Sequence, residues 1–471
     1  MFFSLHLTGV DWLAPSQPVY QCMPARTGSQ AKNQHHTLAA CCKPPFFLAI
    51  WAIPQWAICP PFASLPVSPR GSPIPAHHQH ENRMKEDTRL IHAGRNPRNQ
   101  QGAVNPPVYR ASTVVFSDLK SYMERSDEVK YDGFTYGARH TPTTQALADA
   151  CATLEGGHKA VITATGLSAV TQALTAFLKA GDHALIADTV YGPCRNFCDK
   201  VLTRFGVDIT YYDPTIGEGI GDLMRPNTRV VYTESPGSLT FEMQDIPAMA
   251  KVAHDKGALV LMDNTWGAGL FYKPFEHGVD VSIQAGTKYI NGHADVVIGT
   301  ITAKDETLWR QIKDGANTFG DVAGPDECYL ALRGLRTIAP RMRTQQAACT
   351  RITTWLEGQP GIRRVLWPAL PSDPGHALWK RDFTGAASLF GLVLDTTDLA
   401  AVARMTDGLR LFGIGSSWGG YESLVSVNPT EGMRTAVPWQ ESPFLMRMHI
   451  GLEDPDDLLQ DLEDGLKRLR G

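Results

Sequence analysis

From about residue 143 onward, short continuous apolar runs alternate with longer stretches whose apolar residues recur every three or four positions. The runs at 159–163, 184–187, 207–212, 229–233, 258–262, 279–283 and 296–301 have strand length, and 184–187 and 258–262 are continuously apolar. That is the signature of strands buried on both faces. Between them, residues 143–154 read as a helix ending at Gly156-Gly157, a second helix opens at Thr165-Gly166-Leu167 and runs to about 178, and 246–255 forms a third. This alternation predicts an α/β chain built on a large, mostly parallel sheet covered by helices. Residues 326–356 read as largely helical despite Gly334 and Pro340, and lead into a smaller C-terminal α/β domain. Strand-like stretches at 386–394 and 446–450 and a closing helix at 456–469 belong to that smaller domain.

The first 83 residues break the pattern. They are rich in Pro, His, Ser and Gln, with bulky interruptions such as Trp51 and Trp56. The apolar run 46–53 meets Pro54 at once and is far short of the roughly 20 residues a membrane span needs. It fits neither a secretory signal nor an Arg-rich transit helix. The expectation is an unstructured or mis-assigned extension with Met84 as the true start, against the rival of a genuine tail. The expected organisation is then 1–83 extension, 84–142 loop-rich arm, 143–340 large domain and 341–471 small domain.

Composition adds limits. The chain has 471 residues, 43% apolar and 20% charged, with a formal net charge of -4. That balance gives no reason to invoke nucleic acid or an anionic membrane. Nine cysteines occur without a CxxC pair, which supports neither a metal site nor a disulfide framework and fits reduced cytoplasmic thiols.

Several residues carry candidate chemistry. Lys288, in Gln284-Ala285-Gly286-Thr287-Lys288-Tyr289, follows an apolar strand; an amine there can condense with an aldehyde cofactor, or it is a loop lysine. Asp263 ends the run 258–262, where a carboxylate faces the ligand crevice of a parallel sheet or starts a turn. Gly166 and Leu167 open a helix whose free amides suit phosphate, with hydroxyls of Thr165, Ser168 and Thr287 as further donors. Tyr191 offers an aromatic face beside a strand end, or core packing. Tyr136 and Arg139 lie in the loop-rich arm and are consistent with anion binding. Arg447 sits in an otherwise apolar stretch and needs a partner, either a substrate carboxylate or Glu453 or Asp454. Trp418 lines a side-chain pocket or fills core space.

The motifs Tyr136-Gly137-Ala138-Arg139-His140-Thr141-Pro142-Thr143, Asp263-Asn264-Thr265-Trp266, Thr287-Lys288-Tyr289-Ile290-Asn291-Gly292-His293, Ser417-Trp418-Gly419-Gly420-Tyr421-Glu422-Ser423 and Arg447-Met448-His449-Ile450-Gly451-Leu452-Glu453 together resemble the Cys/Met metabolism family of fold-type I pyridoxal-phosphate (PLP) enzymes. The resemblance runs from about Lys85 to Gly471 and is nearest to the bacterial cystathionine β-lyases. It implies the PLP-dependent transferase fold, pyridoxal 5'-phosphate as cofactor, no metal, and a carbon–sulfur lyase acting on an amino-acid thioether. It implies Lys288 and Tyr191 as catalytic residues, with Lys288 linked to the cofactor. Asp263 would hold the ring nitrogen, Tyr191 would stack on the ring, and Gly166, Leu167 and Thr287 would hold the phosphate. Tyr136 and Arg139 would reach a neighbouring subunit's cofactor, and Tyr136 its substrate, in a homotetramer built from active dimers. Arg447, Ser417 and Trp418 would bind substrate. The tryptophan at 418 is what resembles β-lyases, since γ-acting relatives carry a smaller apolar residue there. The γ-lyases, γ-synthases and broader cysteine-conjugate lyases of the family remain alternatives. One departure is Ala138, where the family commonly has an arginine.

Overall fold

The computed structural model describes residues 84–124 and 129–471; the expected extension 1–83 lies outside the described residues. Among the described residues, twelve strands form two sheets. The first contains β1 (Lys159–Thr163), β2 (His183–Ala187), β3 (Asp208–Tyr212), β4 (Thr228–Glu234), β5 (Leu259–Asp263), β6 (Val281–Gln284) and β7 (Gly299–Ala303). Their spatial order is β1-β7-β6-β5-β4-β2-β3. All neighbours run parallel except β7, which is antiparallel to both β1 and β6. β2, β6 and β7 are buried at every position, which is why their sequences show no alternation. Each fully buried Val, Leu or Ile contributes roughly 1.5–3 kcal/mol, so Val260, Leu261 and Met262 alone anchor β5 firmly; all three are fully buried.

The second sheet contains β8 (Ile362–Leu366), β9 (Leu389–Leu394), β10 (Gly413–Ile414), β11 (Leu424–Pro429) and β12 (Phe444–His449), ordered β10-β11-β12-β9-β8. This is the α/β fold expected, a mostly parallel sheet with a second, smaller one.

Helix α1 (Pro142–Glu155) starts where the Thr141 hydroxyl accepts the Thr144 amide, and ends at Gly156 in the left-handed conformation. Helix α2 (Gly166–Phe177) follows β1 directly. Thr165 and Ser168 close a reciprocal capping box at its start; the Ser168 hydroxyl donates back to the Thr165 carbonyl, whereas the Thr165 hydroxyl only accepts the Ser168 amide and keeps its own hydrogen to donate.

Two expected elements differ. The run 296–301 yields a strand only from Gly299, because Ile298 turns aside to bond Thr287: its amide donates to the Thr287 hydroxyl at 2.9 Å and its carbonyl accepts from it at 3.1 Å. The stretch 326–356 is two helices, Pro325–Leu335 and α3 (Ile338–Leu356), interrupted at Arg336 and Thr337. Pro340 falls in the first turn of α3, where its missing N–H has no partner to lose. Gly334 is required because a side chain there would meet the Asn291 carbonyl oxygen at 2.0 Å. Among the described residues no helix is long and apolar enough to cross a membrane, and no cluster of His, Cys, Asp or Glu could hold a metal ion.

Candidate active site

The parallel strands of the first sheet end along one edge. Their C-terminal turns supply Gly166 and Leu167 after β1, Tyr191 after β2, Glu234 and Asp263 at the ends of β4 and β5, and Thr287 and Lys288 after β6. From the second sheet come Arg447 on β12, Asn428 on β11, and Ser416, Ser417 and Trp418 from the loop before β11. These residues line one cavity of about 420 Å³, within the range of small-molecule sites. Ten of the thirteen residues singled out from the sequence meet there, and Ser168 lies outside the lining. Tyr136 and Arg139 do not: Tyr136 pairs with Thr113 in an isolated bridge and is 49% exposed, and Arg139 is exposed.

Lys288 lies at the centre. Its Nζ donates to the Ser417 hydroxyl at 2.6 Å and sits 5.4 Å from the centre of the Trp418 ring. Burial, then the nearby Arg447 guanidinium, lower its pKa to about 8, with Asp263 opposing. The amine is therefore far closer to its neutral, nucleophilic form at neutral pH than an ordinary lysine. Ser417 adopts a φ of 85° and Gly419 a φ of 83°. A side chain at Gly419 would come within 2.9 Å of the Lys288 carbonyl carbon, so this loop can approach the lysine only with glycine there.

Asp263 is fixed by its neighbour. The Thr265 amide donates to Asp263 Oδ1 at 3.0 Å, the Thr265 hydroxyl donates to the same oxygen, and that hydroxyl accepts the Ala285 amide at 2.9 Å. Burial raises the Asp263 pKa, partly offset by these bonds and by Lys288. Glu234 pairs with it in register on the adjacent strand and accepts the Tyr191 amide at 2.7 Å. Burial, then the charge of Asp263, push the Glu234 carboxyl well above the usual range. Sequence reading missed Glu234, Thr265 and Asn428; their signal was position at or beside a strand end, which polar residues share with ordinary turns.

Burial raises the Tyr191 pKa, leaving a protonated phenol, and lowers that of Arg447. Among the described residues Arg447 pairs with no carboxylate; its guanidinium donates one long hydrogen bond, 3.5 Å, to the Ser417 carbonyl. Of the two structural partners weighed for it, Glu453 is occupied by the Ser423 amide and hydroxyl, and Asp454 caps the last helix. The Thr287 hydroxyl is tied to Ile298, with a single lone pair left.

The donor set fits pyridoxal phosphate. A helix start offers amides with no intrahelical partner, and Gly166 packs so tightly on Ala285 that a Cβ would come within 2.6 Å, which keeps that backbone bare for an anion. A partly neutral amine suits an aldehyde, a carboxylate held by Thr265 suits a ring nitrogen, and Tyr191 presents a partly exposed ring.

Comparison with known proteins agrees with this chemistry. The model of the Cys/Met metabolism PLP-dependent enzymes matches residues 87–467. A Rhizobium johnstonii protein bearing a provisional cystathionine beta-lyase name is 46% identical over 383 residues, covering 80% of this chain and 95% of the relative. Cystathionine beta-lyase MetC of Escherichia coli is 40% identical over 391 residues, covering 82% and 99%. An L-alanine/L-glutamate racemase of Wolbachia pipientis is 39% identical, covering 82% and 98%. The crystal structure of cystathionine gamma synthase from Xanthomonas oryzae pv. oryzae, in complex with aminoacrylate and cysteine, superposes with a TM-score of 0.76 at 32% identity, covering 82% and 99%. The chain belongs to the Cys/Met metabolism PLP-dependent enzyme family.

Proposed function

We propose that the enzyme catalyses β-elimination of L-cystathionine, giving homocysteine, pyruvate and ammonia. The observation that carries the reading is Lys288 held between the Ser417 hydroxyl and the Trp418 ring. Bound at this site, pyridoxal phosphate supplies an aldehyde that joins to amino groups and a ring that accepts the electron pair left at the substrate α-carbon. Asp263 would face the ring nitrogen and hold its proton. Tyr191 would cover the ring, and the amides of Gly166 and Leu167 would bind the phosphate, joined by the Thr287 hydroxyl once its hydrogen turns away from the Ile298 carbonyl. Arg447 would hold the substrate α-carboxylate, since a guanidinium left without a carboxylate partner is suited to a bidentate one. Lys288 takes the α-proton and returns it to the departing sulfur as the β-carbon–sulfur bond breaks. The remaining three carbons leave and hydrolyse to pyruvate and ammonia.

The γ-eliminating members must also remove a proton from the β-carbon. The Trp418 indole, its ring centre 5.4 Å from the Lys288 amine, fills the space beside it where γ-acting relatives carry a smaller apolar residue, which supports the β-eliminating reading. Incubation with L-cystathionine should yield pyruvate and a free thiol in equal amounts. Accumulation of 2-oxobutyrate, or inverted amino acid with no keto acid, would overturn the reading. Tyr136 and Arg139, exposed on this chain, would reach the site of a second copy in a tetramer of paired dimers.

The lowered lysine pKa has a measurable consequence for cofactor uptake. With a pKa near 8, the neutral fraction rises about tenfold between about pH 7 and 9 and then levels off, whereas an ordinary lysine near 10.4 would gain about a hundredfold and keep rising. Stopped-flow absorbance of apoprotein mixed with pyridoxal phosphate should show the shallower, saturating profile.

A further inference from the structure

Asp188 opens the turn after β2, three residues before Tyr191, and its side chain has no solvent exposure. It takes part in neither cofactor nor substrate binding as described above, and it does not line the cavity. Its oxygens accept three successive backbone amides from the β11–β12 connection: Thr435 at 2.9 Å, Ala436 at 2.8 Å and Val437 at 2.9 Å. The Arg195 guanidinium also donates to it, and Arg434 lies 3.9 Å away while donating to Glu242 at 2.7 Å. Burial works against the Asp188 charge, but the amides of Thr435 and Val437 and the Arg195 guanidinium outweigh it and hold its pKa below the usual range.

Each group in this network is near in the chain to residues that line the cavity. The Asp188 turn leads into Tyr191. The connection joins the two strands that carry Asn428 and Arg447. Glu242 follows the segment containing Ser238, Leu239 and Phe241, which also line the cavity. We propose that Asp188, together with Arg434, is a positioning residue that fixes the β11–β12 connection, and with it the carboxylate-binding Arg447, against the Tyr191 wall. This rests on Arg447 being the α-carboxylate site. Thr435, Ala436 and Val437 are exposed on their outer side, so water can take up their amides once Asp188 is removed. The loss is then a local loosening rather than unfolding.

The test uses the holoenzyme and glycine, which offers only an amine and an α-carboxylate and so does not depend on the thioether assignment. Glycine binding is followed by the change in cofactor absorbance, and amide exchange is read over residues 430–443. Asp188→Ala is expected to speed exchange there about tenfold or more. It should weaken glycine binding about ten- to thirtyfold while cofactor affinity stays within about threefold. Asp188→Asn keeps the shape but not the charge and should weaken glycine binding at least about threefold; it decides the matter if the alanine variant does not accumulate. Faster exchange with unchanged glycine affinity would make the network purely structural and overturn the proposal, as would unchanged exchange. An Arg447→Ala holoenzyme that still binds glycine normally would overturn the carboxylate assignment beneath it. Wild-type holoenzyme that binds glycine yet releases no pyruvate from L-cystathionine would sink the proposed function and leave the positioning role of Asp188 standing.

Discussion

Replacing Lys288 by alanine is expected to lower keto-acid release by at least about a thousandfold, with folding retained. No other group in the cavity can stand in for the amine. Arg447 keeps its proton at any working pH even though burial lowers its pKa. The Tyr191 phenol is pushed the other way and stays protonated near neutrality. Glu234 is held well above the usual carboxyl range by burial and by Asp263, and it is occupied by the Tyr191 amide. A coupled keto-acid assay beside circular dichroism checks the expectation. Residual activity above about a tenth of wild type would mean that a second base exists.

Asp263→Asn should be the next most damaging change, costing on the order of 10²–10³-fold in kcat, the scale seen when one preorganised electrostatic partner is removed from an active site. The amide keeps the Thr265 contacts but loses the charge that would hold a proton on the cofactor ring. Because Asp263 also favours the protonated form of Lys288, the substitution should lower the lysine pKa further. The uptake profile of the apoprotein would then level off at a lower pH than in wild type. A variant with wild-type kcat and an unmoved uptake profile would remove Asp263 from both roles.

Much of this site could be read in the sequence because parallel sheets are so restrictive. Buried strands must be short and apolar, so the polar residues that end them stand out: Asp263 after 258–262 and Lys288 after 279–283 were found that way. The turn at Gly166 is equally legible; what its sequence does not show is that the Ser168 hydroxyl bonds back to the Thr165 carbonyl while the Thr165 hydroxyl keeps its hydrogen. Elements were lost where local composition masked the pattern. The helix Glu306–Phe319 buries Leu308, Trp309, Ile312 and Ala316 on one face, but Gly315 and the many polar residues between hide that stripe. Glu234 was missed because it follows a strand whose end is also a Ser-Pro turn. Tyr136 and Arg139 expose the other limit: the sequence marked them as binding residues, but one copy of the chain cannot place them at its own cavity.

The antiparallel entry of β7 between β1 and β6 leaves a mark on how this enzyme can diverge. Its first residue, Gly299, backs onto the Thr165 carbonyl, where a Cβ would lie 2.2 Å from the oxygen. Ile298 is bonded to Thr287, and Ala285 abuts Gly166. Three segments distant in the chain thus meet at one corner with no slack between them. Descendants of this sequence can revise the substrate side of the cavity one residue at a time, but this corner must be inherited whole.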